Sequence, residues 1–178
     1  GSTVQLTLNG KVIDEHLTGD YGCYTWENLD PLRPPDYYDV HEVVPPDWYA
    51  WTPTEFVCDP IPSGGTCSYT FVNSEKVDVT ACKLEDVDGD PQTSDDRVPV
   101  PGWTVQLTEE GQVIDTQLTG DDGCYTWTDL MPGYSYDLHE EVKDGWFPWT
   151  PVDHVFDPAE SGDSLSHTFV NSRYGTKT

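Results

Sequence analysis

The sequence predicts an all-β protein made of two tandem β-sandwich modules, and three observations carry that expectation. Two stretches are near copies: VQLTLNGKVIDEHLTGDYGCYTWENLDP from Val4 and VQLTEEGQVIDTQLTGDDGCYTWTDLMP from Val105, each continuing to WTP and ending in TFVNS. A repeat of that length marks a tandem array of one folding unit. Short runs of alternating, β-branched and aromatic residues fill both copies, separated by GD, DG, PG and SGG turn signals. Fifteen prolines and fifteen glycines leave no room for a long helix.

In the first copy VQLTL, KVIDEHL, CYTW, YYDVHEVV, EFVCD and CSYTFVN each read as a strand, giving a small antiparallel sandwich of about seven strands per module. The modules fall at residues 1–74 and 75–178, with Ser74 to Val77 as a very short linker. Module one starts late. VDVTACKLEDVDGDPQTSDDRVPVPGW, ahead of the second copy, has no counterpart ahead of Val4, so the first module lacks its N-terminal strand. Relative to MPGYSYD, the three extra residues in DPLRPPDYYD alter a loop and leave the strand register intact. Gly1 and Ser2 read as a cloning remnant, and the chain as an excerpt of a longer surface protein.

Thirty-three acidic against eight basic residues give a net charge of -25. A phosphate backbone or an anionic membrane surface is repelled by such a chain, which excludes nucleic acid and lipid headgroups as partners. No apolar run approaches the length of a membrane span, so direct membrane insertion is excluded too. Solubility of an exposed protein accounts for the acidity as a whole; divalent-cation binding is the sharper reading of one local cluster.

Five cysteines in strand-like segments, with no CxxC, fit disulfides in an oxidising, extracellular compartment better than a thiolate metal site. Cys58 and Cys67 align with Phe156 and Leu165, which share the inward parity of Phe169. An apolar contact in one module is thus expected as a disulfide in the other. Cys124 lies opposite in parity to Tyr125 and Trp127, and Cys82 opposite to Lys83, so both decorate the outer face and are expected to pair. Cys23 is left alone, because its partner belongs to the strand that module one lacks.

Residues two apart on a strand face the same side of a sheet. By this rule Lys83 sits with Val79 and Ala81, Glu140 with Tyr136 and Leu138, and Asn171 with Leu165, His167 and Phe169. Three polar side chains therefore lie on the apolar face of a first, a middle and a last strand. An unpartnered buried lysine or glutamate is costly, so the pair is expected to meet. Burial disfavours both charged forms, which lets an amine attack the Asn carboxamide while a neighbouring acid polarises its oxygen and moves protons. The product is a Lys-Asn isopeptide bond formed once, with no enzymatic turnover. Parity alone is equally compatible with an edge-strand lysine, a solvated glutamate and a turn-forming asparagine.

The run K-x-E-D-x-D-G-D, then PGWTVQL, then TGDDGCYTWTDLMPGYSYDLHEEVKDGW, then FVN resembles the B-type repeats of prokaryotic surface adhesins and pili, the Cna-B and SdrD-B-like group. The resemblance spans Val79 to Asn171 in full and Thr3 to Asn73 without the first strand. It implies prealbumin-like or inverse-immunoglobulin sandwiches that act as stalk, adhesin or filament building blocks at the cell surface, next to neighbouring modules of the same array. It further implies that Lys83, Glu140 and Asn171 form the self-crosslinking triad, and that Glu42 and Asn73 are two-thirds of a matching site in module one. A longer chain then supplies the absent strand, or module one has a groove that accepts a donated strand. In the same register Lys177 is not the next reactive lysine.

Asp86, Asp88 and Asp90 stand at the 1, 3, 5 spacing of a calcium loop, with Asp95 and Asp96 beyond; similar loops in the resembling repeats bind Ca2+. Pro91 replaces the turn glycine and Arg97 the twelfth-position acid, so a solvated acidic loop also fits. Trp48, Tyr49 and Trp51 recur as Trp146, Phe147 and Trp149. Fixed recurrence favours packing; the alternative is a ligand-binding adhesin module in which Trp48, Trp51, Trp146 and Trp149 stack on a glycan or a protein. His41 and His139, on the parity opposite the glutamates, are expected at the surface and form no zinc site.

Overall fold

Fifteen strands and no helix make up residues 1–175, the part of the chain that the computed structural model describes. Lys177 lies outside the described residues. Two compact units divide the chain, Gly1–Ser74 and Glu75–Thr178.

The first unit contains β1 (Thr3–Leu8), β2 (Lys11–Leu17), β3 (Tyr38–Val43), β4 (Trp48–Ala50), β5 (Glu55–Cys58) and β6 (Asn73–Glu75). One antiparallel sheet has the order β2-β1-β3-β5, and β4 pairs with β6 in a two-stranded sheet. Asn9 and Gly10, at φ 53° and 76°, close the β1 to β2 turn in the left-handed region that such a tight hairpin requires. The apolar core is small: Leu6, Tyr38 and Cys58, with Trp26, Leu29 and Cys67 packed against them.

The second unit contains β7 (Val77–Asp86), β8 (Arg97–Pro99), β9 (Thr104–Glu109), β10 (Gln112–Leu118), β11 (Cys124–Leu130), β12 (Tyr136–Glu140), β13 (Trp146–Pro148), β14 (Asp153–Val155) and β15 (Ser164–Arg173). A sheet of order β10-β9-β12-β14 packs on a second of order β11-β7-β15-β13, with β8 on β7. Between them lies a core of Val77, Val79, Ala81, Trp103, Val105, Leu107, Trp127, Tyr136, Leu138 and Phe169. Strand β7 is its spine. It alternates buried and half-buried residues from Val77 through Leu84 and bonds to β11 on one side and β15 on the other.

Two expectations from the sequence need correction. The β7 to β15 pairing is parallel, so the sandwich is mixed rather than antiparallel, and the units carry nine and six strands rather than about seven. In the first unit, CYTW and most of CSYTFVN are not strands: 23–26 and 67–72 are irregular. Their counterparts in the second unit hydrogen-bond to β7 from either side. Without a strand in that place their amides and carbonyls have no ladder to join, and the propensity of the residues is not enough. A disulfide, Cys58–Cys67, ties β5 to the irregular segment instead.

Candidate functional site: a sealed Lys, Glu and Asn

Strand parity aims Lys83 from β7, Asn171 from β15 and Glu140 from β12 into the second unit's core, the glutamate coming from the opposite sheet. Parallel pairing sets Phe169 beside Lys83 and Asn171 beside Glu85, so Lys83 and Asn171 are diagonal neighbours on one sheet face. All three are sealed: Lys83 and Asn171 are 0% exposed and Glu140 1%. Glu140 Oε2 accepts from Lys83 Nζ at 2.6 Å and from Asn171 Nδ2 at 3.1 Å. One carboxylate oxygen thus bridges the lysine and asparagine side-chain nitrogens. Glu140 Oε1 and Asn171 Oδ1 have no hydrogen-bond partner.

Removal from water lowers the Lys83 pKa to about 8, although the hydrogen bond and charge of Glu140 pull it back up. Trp103 completes the pocket, its ring centroid 4.6 Å from Lys83 Nζ, and is itself fully buried. Sequence reasoning missed its role. The signal was available, since Trp103 shares parity with the buried Val105 and Leu107 ahead of β12's Glu140.

The first unit holds the matching pair without a lysine. Asn73 Nδ2 donates to Glu42 Oε1 at 2.6 Å; Glu42 is 9% exposed, and Glu42 Oε2 and Asn73 Oδ1 have no partner.

Cys82 and Cys124 face one another across β7 and β11 and are joined in a disulfide; Cys23 is free and exposed. In the acidic loop only Asp86, Asp88 and Asp96 bring carboxylate oxygens within 4.8 Å of one another. Asp90 and Asp95 stand outside this group. Asp90 Oδ1 accepts from Gln92 N, and Arg97 reaches back to donate to Pro91 O at 2.9 Å. Asp86 is fully buried with neither carboxylate oxygen hydrogen-bonded, and Arg97 Nε lies 3.7 Å from its Oδ2. Three convergent hard oxygen donors, one of them sealed and without a hydrogen bond beside Arg97, form an acidic cluster able to hold a divalent cation that takes its remaining ligands from water or backbone.

Recurring aromatics divide. Trp146 packs on the core, edge-on to Trp103 at 5.0 Å between centroids, whereas Trp51 and Trp149 are partly exposed and pack edge-on against Tyr49 and Phe147 at 4.8 and 4.7 Å. Each also donates its Nε1 to a serine, Ser74 or Ser172. Trp48 is half-buried. His41 and His139 are half-buried beside carboxylates, Asp39 and Glu55 for the first and Asp153 for the second, rather than free at the surface.

Together the two units define a class: all-β sandwich repeats, one with a sealed Lys–Glu–Asn constellation. No protein-family model matches the sequence, and no curated protein does. Among solved structures the chain is similar to the minor pilin GBS52 of Streptococcus agalactiae, at 15% identity and a TM-score of 0.45 over 100% of this chain and 85% of that one. It is also similar to the shaft pilin of Lactobacillus rhamnosus GG, at 12% identity and 0.40 over 100% and 89%. A third is a single B repeat unit of the collagen-binding surface protein of Staphylococcus aureus, at 17% identity and 0.38 over 98% and 87%.

Proposed function

We propose that the chain is a non-enzymatic structural pair of repeat modules from an extracellular stalk, adhesin or filament, with unit 75–178 locked by an isopeptide bond between Lys83 and Asn171. The observation that carries this reading is Glu140 Oε2 lying within hydrogen-bond reach of both reacting nitrogens inside a sealed core. Lys83 gives one proton to Glu140, and its neutral Nζ attacks Asn171 Cγ. Nζ then gives up a second proton as the Cγ–Nδ2 bond breaks; through Glu140 one proton reaches Nδ2, which leaves as ammonia, and Glu140 keeps the other. The new bond closes a loop of about 90 residues, which is worth about 4.5 kcal/mol by the loop-entropy argument. Its larger effect is mechanical: β7 opens the unit and β15 closes it, so load applied at the unit's two ends runs through a covalent link.

Three further parts belong to this reading. Disulfides suit the same oxidising exterior. Ca2+ held by Asp86, Asp88 and Asp96 would pin the loop after β7. Neighbouring modules are the partners, and a strand from a longer chain or from a neighbour completes unit 1–74. Intact mass tests the core of it. The purified chain should be lighter than its sequence by one ammonia beyond its disulfides, and Lys83→Ala and Glu140→Ala should restore the full mass. A full-mass chain sinks the reading. The exposure of Trp51 and Trp149 favours a second reading, a glycan- or protein-binding adhesin module. Binding on a glycan array that Trp51→Ala abolishes and Glu140→Ala spares would select it.

A further inference from the structure

We infer that the Cys82–Cys124 disulfide is a positioning device for the crosslink in unit 75–178. It holds the β7 main chain in register beside Lys83 until the Lys83–Asn171 bond forms, and it carries no load once that bond exists. This rests on the isopeptide reading above and adds two positioning residues to the same site.

Lys83 sits at a seam. The pairing of β11 with β7 runs from Leu130 opposite Val77 to Cys124 opposite Cys82, where β11 begins, and it is interrupted once between Trp127 and Leu130. β8 takes over the same edge of β7 only at Leu84, opposite Pro99. Between these two edge partners Lys83 pairs with neither. Its N–H donates to Gly123 O at 2.7 Å, in the turn ahead of β11, and its carbonyl accepts from Val100 N at 3.0 Å, just past β8. Ends of a ladder open before its middle, and a residue held only by the flanks of two strands opens with them. The disulfide joins the last pair of the ladder, one residue from Lys83.

Register decides whether the site exists at all. A slip of one residue turns every side chain of a strand to its other face, which would take Lys83 away from Glu140 and out of the core. A covalent bond between directly opposed residues excludes any such slip of β7 on β11. Once the link has formed, the disulfide has nothing left to hold. It closes residues 82–124 and the isopeptide bond closes 83–171, so all of the smaller loop except Cys82 lies inside the larger. Load arriving along β7 crosses from Lys83 to Asn171 and leaves along β15, with the disulfide off its path. The cysteines therefore serve the unfinished unit. Both are half-buried, within reach of a reductant in solution.

The test follows intact mass against time for the full-length chain, made by in vitro translation and folded with dithiothreitol or with oxidised glutathione. The glutathione disulfide takes up the two thiol hydrogens and becomes two thiols. Under oxidant the chain should shed one ammonia; under dithiothreitol the loss should be slower by about tenfold or more, and reoxidation should restore the fast rate. Cys82→Ala with Cys124→Ala should be slow in both conditions, and Cys58→Ala with Cys67→Ala fast whenever oxidant is present. Urea separates positioning from stability. The oxidised chain, in enough urea to bring its melting temperature down to that of the reduced chain, should keep the fast rate. One rate of ammonia loss in both redox conditions defeats this inference and leaves the crosslink standing, as does an oxidised chain slowed by the matched urea to the reduced rate. Full mass in both conditions removes the isopeptide reading and this inference with it. Pulled by its ends, the linked chain should release the same length with the disulfide intact or reduced. Asn171→Ala, which cannot link, should release about 150 Å more once reduced, 42 residues at about 3.6 Å each. An equal gain in the linked chain would overturn the claim that the disulfide bears no load there.

Discussion

Lys83 Nζ and Glu140 Oε2 stand 2.6 Å apart in a core from which water is excluded, each the other's only charged partner at that distance from opposite sheets of the sandwich. Such a pair is stable as a pair and costly as halves. Removing one partner leaves an uncompensated buried charge, at about 3–5 kcal/mol. Glu140→Ala should therefore lower the unfolding free energy of unit 75–178 by that amount beyond any loss from the missing crosslink. Denaturant melts of Glu140→Ala and of the Glu140→Ala, Lys83→Met double variant separate the two effects. The double variant should recover most of the pair's share, and a double variant no more stable than the single would refute the argument.

The rate of bond formation should follow the protonation of the amine. Lys83 has a pKa of about 8, lowered first by burial, so the neutral nucleophile becomes abundant as pH rises through that value. Protein refolded from a fully unlinked state should lose ammonia faster at pH above about 8 than below it, levelling off beyond. Following intact mass against time across that range checks the sign. A rate that falls through the same range would assign the limiting proton to a different group.

How far the sequence led can be argued from single residues. Alternation along VTACK, YDLHE and FVN placed Lys83, Glu140 and Asn171 inward, because a strand's two faces are set by covalent geometry and need no tertiary information. The parallel union of β7 and β15 was not legible, since alternation is the same in either direction and the pairing partner is a long-range choice. Nor was the irregularity of 23–26 and 67–72. Those residues have the composition of the strands they match, and what they lack is a neighbour. In the acidic loop, spacing named five aspartates, and the folded loop brings together Asp86, Asp88 and Asp96 of them, a tertiary outcome that spacing does not carry.

His154 and His167 stack at 3.8 Å between centroids and 9° between planes, in the place where the first unit stacks Phe56 on Tyr69 at 4.4 Å and 11°. Burial first, and the adjacent His154 second, hold the His167 pKa below the ordinary imidazole value. The folded state therefore binds fewer protons than the unfolded chain between the two values. The His167 contribution to stability should be constant above the unfolded pKa of about 6.5, and stability should fall as pH drops below it. Urea melts along an acid series should show that limb. His167→Tyr with His154→Phe, the residues the first unit uses, should flatten it.

Calcium binding, if the loop after β7 is a cation site, should depend on Asp86 and not on Asp90. Asp86 is the sealed carboxylate, with no hydrogen bond and Arg97 beside it, whereas Asp90 is engaged with Gln92 N outside the cluster. Titration calorimetry with Ca2+ should show Asp86→Asn weakening binding by about tenfold or more and Asp90→Asn leaving it unchanged. Equal losses in both would mean a diffuse acidic surface.

Gly123 and Gly22 offer a comparison within one molecule. Both adopt positive φ, at 77° and 71°, so an alanine at either carries a similar backbone penalty of about 1 kcal/mol. Their surroundings differ. A Cβ on Gly123 would stand 2.7 Å from Lys83 O and 2.9 Å from Pro99 Cβ, whereas one on Gly22 meets nothing within 4 Å. Those Gly123 neighbours belong to β7 and the strand beside it, so the clash measures the presence of the first strand. Gly123→Ala should destabilise its unit by about 2–3 kcal/mol, the conformational penalty plus overpacking, and Gly22→Ala by no more than the conformational part. Denaturant melts of the two variants check the difference, and equal losses at the two positions would refute the argument.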